Sequence, residues 1–146
     1  MLNGFHFSET MAGTWRREGS TEEHAMSFTL TARAKSWLKH LRDHKAVIDG
    51  NVRIDGLASN APISGELTIN PVLGKLIRYE FGFVADDGKA YRFRGQKDVS
   101  ITSVVHTMTT LPGTIVDASD RTVGTALLKF DKRDLPGFLA SFRPGG

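Results

Sequence analysis

Apolar residues recur at every second position through most of the chain. From Ala25 to Ala34, Met26, Phe28, Leu30 and Ala32 alternate with Ser27, Thr29, Thr31 and Arg33, which predicts a strand with one apolar face. Val47 to Leu57 repeats the pattern, with Ile48, Val52 and Ile54 facing one way and Asp49, Asn51, Arg53 and Asp55 the other. Gly50 falls on the apolar face, where a missing side chain marks a bend or a close neighbour. Pro62 to Asn70 groups Ile63, Leu67 and Ile69, and Leu76 to Val84 groups Ile77, Tyr79, Phe81 and Phe83 against Arg78 and Glu80. Asn70-Pro71-Val72-Leu73-Gly74 between them reads as a turn. Asp86-Asp87-Gly88-Lys89 is a hairpin signal, because Asp-Gly supplies the positive φ that tight hairpins need. The strand after it, Lys89 to Val99, sends Tyr91 and Phe93 inward and Arg92, Arg94 and Gln96 outward.

Three more strands complete the pattern. Gly4 to Trp15 carries Phe5, Phe7, Glu9 and Met11 on one side; Val104 to Val116 is expected to bend or bulge at Pro112-Gly113; Thr122 to Phe130 follows. About eight strands at hairpin spacing predict a mainly β chain, a single antiparallel β-barrel domain over residues 1–146 of calycin- or lipocalin-like form, with a sandwich as the other arrangement.

Two segments break the period of two. Ala34 to His44 places Trp37, Leu38 and Leu41 on one stripe among Lys35, Lys39, His40 and Arg42, which predicts an internal helix. Leu135, Phe138, Leu139 and Phe142 follow helical spacing, with Asp134 as N-cap and Pro136 in the first turn, which predicts a short C-terminal helix. Either helix is placed to plug or cap a barrel mouth.

Composition narrows the classes. Of 146 residues 40% are hydrophobic, enough to build a core, and there is no cysteine, so disulfides, thiolate metal sites and cysteine nucleophiles are excluded. No apolar run reaches the length of a membrane span, and Met1 to Gly19 holds no continuous apolar stretch of a secretory signal, so a soluble, cytoplasmic domain is expected. Nineteen Lys+Arg against 16 Asp+Glu give +3, and the basic residues are scattered rather than gathered on one stripe. Arg92-Phe93-Arg94 interleaves an aromatic with cations, as single-strand binders do, but alternation on a half-exposed strand produces the same pattern.

Candidate chemistry is sparse. His40 and His44 stand four apart on the first predicted helix, but Leu41 occupies the place of a metalloprotease glutamate and no third ligand is identified, so no metal is assigned. Ser103 and His106 lie three apart on a predicted strand and face opposite sides, and no Gly-x-Ser-x-Gly elbow or phosphate-binding loop occurs. Glu9 and Lys97 are the exceptions to the apolar phase. Glu9 shares a face with Phe7 and Met11, and Lys97 with Tyr91 and Phe93. Either they reach water at strand ends, or they are buried and must be paired, as partners of each other or as polar anchors inside a pocket. Thr107, Thr109 and Thr110 add hydroxyls of a kind common in strands.

Several segments together resemble a bacterial accessory domain: Phe7-Ser8-Glu9-Thr10-Met11-Ala12-Gly13, Ile77-Arg78-Tyr79, Ala85 through Val99, Thr107-Met108-Thr109-Thr110-Leu111 and Leu135-Pro136-Gly137-Phe138-Leu139. That domain accompanies cholesterol-oxidase-like flavin oxidoreductases of the glucose–methanol–choline (GMC) class and α/β-hydrolases. The resemblance implies company with enzymes acting on sterols or other apolar substrates and no catalytic role of its own; the flavin-binding glycine fingerprint of those enzymes is absent here. The leading expectation is therefore a non-catalytic domain, without cofactor, that binds a hydrophobic small molecule or assists a GMC-type oxidoreductase. Its contacts would come from Phe7, Glu9, Met11, Phe28, Trp37, Tyr79, Phe81, Tyr91, Phe93 and Lys97. Two other readings stand beside it: an interaction or self-association module using a strand edge or the Phe138/Phe142 helix, and a small barrel isomerase or cyclase using Glu9, Lys97 or His106.

Overall fold

The computed structural model describes residues 5–34, 45–70, 76–98, 110–130 and 143–144. Its strands are β1 (Phe5–Arg17), β2 (His24–Ala34), β3 (Lys45–Ile54), β4 (Ala58–Asn70), β5 (Leu76–Val84), β6 (Ala90–Asp98), β7 (Thr110–Asp117), β8 (Thr122–Lys129) and a two-residue β9 (Arg143–Pro144). Each of β1 to β7 pairs antiparallel with the next, and β8 returns to pair with β1. The result is a closed eight-stranded up-and-down barrel, with β9 added beside Phe5 and His6 of β1. Closure resolves barrel against sandwich. It also gives each of the eight strands a neighbour on both sides. Among the described residues no helix is long and apolar enough to cross a membrane.

The predicted alternation is the barrel's inside and outside. On β3 the even-numbered residues Ala46, Ile48, Val52 and Ile54 are buried, and Val47, Asp49, Asn51 and Arg53 face out. Gly50 adopts φ +153°, and a Cβ there would lie 1.9 Å from the Thr29 carbonyl oxygen, so the close neighbour read from the sequence is the β2 backbone. The β5–β6 hairpin turns at Gly88 (φ +82°) and sets Phe81 opposite Phe93 and Phe83 opposite Tyr91.

The barrel has two unlike ends. At the hairpin end, short turns join β1 to β2, β3 to β4, β5 to β6 and β7 to β8. Here the Trp15 indole donates to the Asp55 carbonyl at 3.0 Å, and the Asp86 carboxylate accepts from both the backbone N–H and the hydroxyl of Ser59. Leu57, expected in a strand, instead turns the chain: β3 stops at Ile54, and the Leu57 amide bonds back to the Ile54 carbonyl. Its side chain stays buried as a stopper for this end. At the far end stand the last described residues of β2, β4, β6 and β8 and the first of β3, β5 and β7. Both predicted helices, over 34–44 and 135–142, fall outside the described residues, except Ala34, which ends β2. The portion 104–109 of the seventh expected strand is likewise outside them.

Pro112-Gly113 does not bend its strand. Pairing with Leu127 and Ala126 runs through both residues, and the register shifts only between Ile115 and Val116. Gly113 instead makes room for a ring: a Cβ there would lie 2.5 Å from two carbons of the fully buried Phe93 ring, and one at Gly95 2.8 Å from it. Gly113→Ala should therefore overpack the interior and cost about 1–3 kcal/mol in urea unfolding. Adding Phe93→Leu to it should cost less than the two single changes summed, because both act on one contact.

Candidate functional site

Rings occupy the middle of the lumen. Phe28 stands edge-on to Phe81 at 5.3 Å between centroids, Phe81 stacks on Phe93 at 5.1 Å, and Phe28 lies 5.9 Å from both Phe93 and Tyr79. These are favourable aromatic separations, and together the rings form an apolar floor. Met11 is fully buried beside them on the inner face of β1.

On the far-end side of this floor stand three polar side chains. Glu9 of β1 is 7% exposed, Lys97 of β6 4% and Tyr79 of β5 2%. The strands place them by register. Tyr79 pairs with Gly95 and Ile77 with Lys97, so Tyr79 and Lys97 are diagonal neighbours on one inner face. The Lys97 ammonium lies 5.2 Å from the Tyr79 ring centroid, a cation–π distance. Glu9 arrives from the other side. In the closed order, β1 and β5 are opposite one another across the barrel, and the Tyr79 hydroxyl spans the lumen to donate a hydrogen bond to Glu9 Oε1. Glu9 and Lys97 therefore do not reach water at strand ends. They are buried, and Tyr79 links them.

Burial sets the electrostatics. Desolvation pushes the Tyr79 hydroxyl well above the ordinary tyrosine range, and the Glu9 charge and the hydrogen bond to it push the same way. Desolvation draws the Lys97 ammonium below the ordinary lysine value, and the Glu9 charge offsets part of that shift. The trio thus combines a donor cation, a hydroxyl and an acceptor carboxylate inside an otherwise apolar wall.

The remaining sequence-derived candidates divide clearly. Phe7, Met11, Phe28, Tyr79, Phe81 and Phe93 all face the interior with Glu9 and Lys97. Tyr91 is only half-buried and stacks on Phe83 towards the hairpin end, away from the polar trio. Trp37, His40, His44, His106, Thr107, Thr109, Phe138 and Phe142 lie outside the described residues. Arg92 and Arg94 point outward and share Asp120 Oδ1 at 2.9 and 3.0 Å, whereas the Phe93 ring between them is wholly inside and offers no face for a base to stack on. Among the described residues no three His, Cys, Asp or Glu side chains gather to hold a metal ion. An external groove of about 720 Å³ that runs over β5, β6, β7, β8 and β1 is lined by charged outward residues such as Arg16, Arg78, Glu80 and Arg94. Sequence reasoning did not single out Trp15, although the inward phase of Phe7, Glu9 and Met11 reaches it directly; it is 1% exposed and seats against Gly124.

The chain matches no protein-family model, no curated protein and no solved structure.

Tyr79→Phe should lower stability by about 1–3 kcal/mol near neutral pH, because it leaves a buried carboxylate oxygen without its donor. The same change should alter the alkaline limb. A tyrosine whose proton is held more tightly in the folded state stabilises fully below pH 10, its ordinary value, and loses that contribution as the pH rises beyond it. Urea unfolding followed from neutral pH to above pH 10 should show the decline in the parent and a smaller one in the variant.

Proposed function

We propose that the barrel binds a hydrophobic small molecule, lipid- or sterol-like, with the molecule's polar terminus directed to Glu9, Tyr79 and Lys97 and its apolar body towards the far end. The observation that carries this reading is the buried polar trio itself. Removing a carboxylate and an ammonium from water costs several kcal/mol each, and a barrel that needed only stability would gain by filling the same space with apolar side chains. Buried titratable groups gathered at one position in an apolar interior mark a site for chemistry or recognition. The floor of Phe28, Phe81 and Phe93 supports the direction of entry: it fills the middle of the lumen, and the hairpin end is closed by Trp15 and Leu57.

The resemblance to accessory domains of GMC-type oxidoreductases extends the proposal: the bound molecule is handed to, or received from, a partner enzyme that acts on apolar substrates.

Titrating the full chain with a fluorescent sterol tests the binding step. Saturable enhancement is expected, with Lys97→Met and Glu9→Gln changing the affinity by about 1 kcal/mol or more, roughly fivefold or more, while circular dichroism stays that of the parent. A signal that rises linearly without saturation, or one unchanged in both folded variants, contradicts the proposal.

A further inference from the structure

We infer that Lys97 is an imine-forming lysine, so that the ligand class proposed above is narrowed to apolar aldehydes and ketones held covalently but reversibly inside the barrel. This rests on the ligand-binding reading and deepens it. Three observations carry it. Lys97 is 4% exposed yet projects into the lumen beside the Tyr79 ring rather than out to solvent. It is one residue from the end of β6, on the far-end side of the ring floor, so its amine stands between that floor and the far end of the barrel. Finally, Glu9 supplies a buried carboxylate held by Tyr79 from the opposite wall. With that carboxylate in place a free fatty-acid head group would be repelled, whereas an uncharged carbonyl is admitted and the cation formed from it is stabilised.

The chemistry closes without a further reagent. The neutral Lys97 amine adds its lone pair to the carbonyl carbon, and the carbon–oxygen π pair moves to oxygen. Both nitrogen protons are transferred to that oxygen, which leaves as water, and a carbon–nitrogen double bond remains. Nothing is oxidised or reduced, and hydrolysis returns lysine and ligand. A proton taken up from solvent converts the product to an iminium, for which the Glu9 carboxylate is the counter-ion. Burial also favours the first step, since each unit by which a lysine falls below its ordinary value raises its reactive neutral fraction about tenfold.

Incubating the full chain with decanal and sodium cyanoborohydride, then mapping peptides by mass spectrometry, tests the inference. The borohydride reduces the imine to a secondary amine, so the modified peptide gains the mass of the aldehyde less one oxygen. The adduct is expected at Lys97 faster than at exposed lysines such as Lys45 and Lys89, and its yield at Lys97 should fall in Glu9→Gln. Lys97→Met should lose this fast adduct. Where Lys97→Met does not fold, the competition between Lys97 and the surface lysines in the parent decides the matter alone. Adducts at surface lysines with none enriched at Lys97 overturn the imine. If decanol still displaces the sterol in that case, the binding proposal survives. If no probe binds at all, both fall.

Discussion

An eight-stranded barrel encloses a lumen about as wide as the side chains that line it, and this chain uses that narrowness twice. In the middle, Phe28, Phe81 and Phe93 meet from different strands, each ring within 5.9 Å of the other two. Nearer the far end, the same width lets one tyrosine reach from β5 to a carboxylate on β1. Both features fail if the sheet is open or a strand slips by one residue, because a one-residue slip exchanges inside for outside along its whole length. The barrel, the floor and the polar crosspiece are therefore one arrangement. Glycines adjust it locally: Gly95 and Gly113 leave the space in which the Phe93 ring lies, and Gly50 lets β2 and β3 approach more closely than a Cβ permits.

The strands were legible because only one face of each is buried. Alternation over Met26 to Ala32 and over Ile77 to Phe83 gave both the element and the side of it that turns inward, and Asp87-Gly88 gave the register of the central hairpin. Residues that break regular pairing were harder to read. Pro112 and Gly113 look like a disruption in a one-dimensional pattern, yet the ladder passes through them, and the value of Gly113 appears only when a ring from the neighbouring strand is laid over it. Leu57 continues the apolar pattern in sequence but serves a turn, since burial at the end of a barrel asks for an apolar residue whatever the local backbone does.

The site was legible in part for the same reason. Glu9 and Lys97 stood out as polar residues on an apolar phase, and the structure buries both. What links them was not readable, because Tyr79 looked like one more inward aromatic. Its hydroxyl gains meaning only from the pairing of β8 with β1, which brings β1 round to face β5 across 70 residues of sequence. Closure is a property of the whole sheet, and no local pattern encodes it. The charge pattern of β6 shows the converse. Arg92-Phe93-Arg94 reads locally as a nucleic-acid motif, but the wall of the barrel separates its aromatic from its cations.

The account stands on Lys97 being an interior amine that a ligand meets. Labelling the lysine Cε positions with carbon-13 and following each resonance by NMR as the pH is raised, with and without a saturating apolar probe, measures this directly. The account predicts one lysine resonance, assigned through Lys97→Met, that titrates below the ordinary value of 10.5 and moves when the probe is added. A Lys97 resonance that titrates together with the surface lysines and ignores the probe would contradict it.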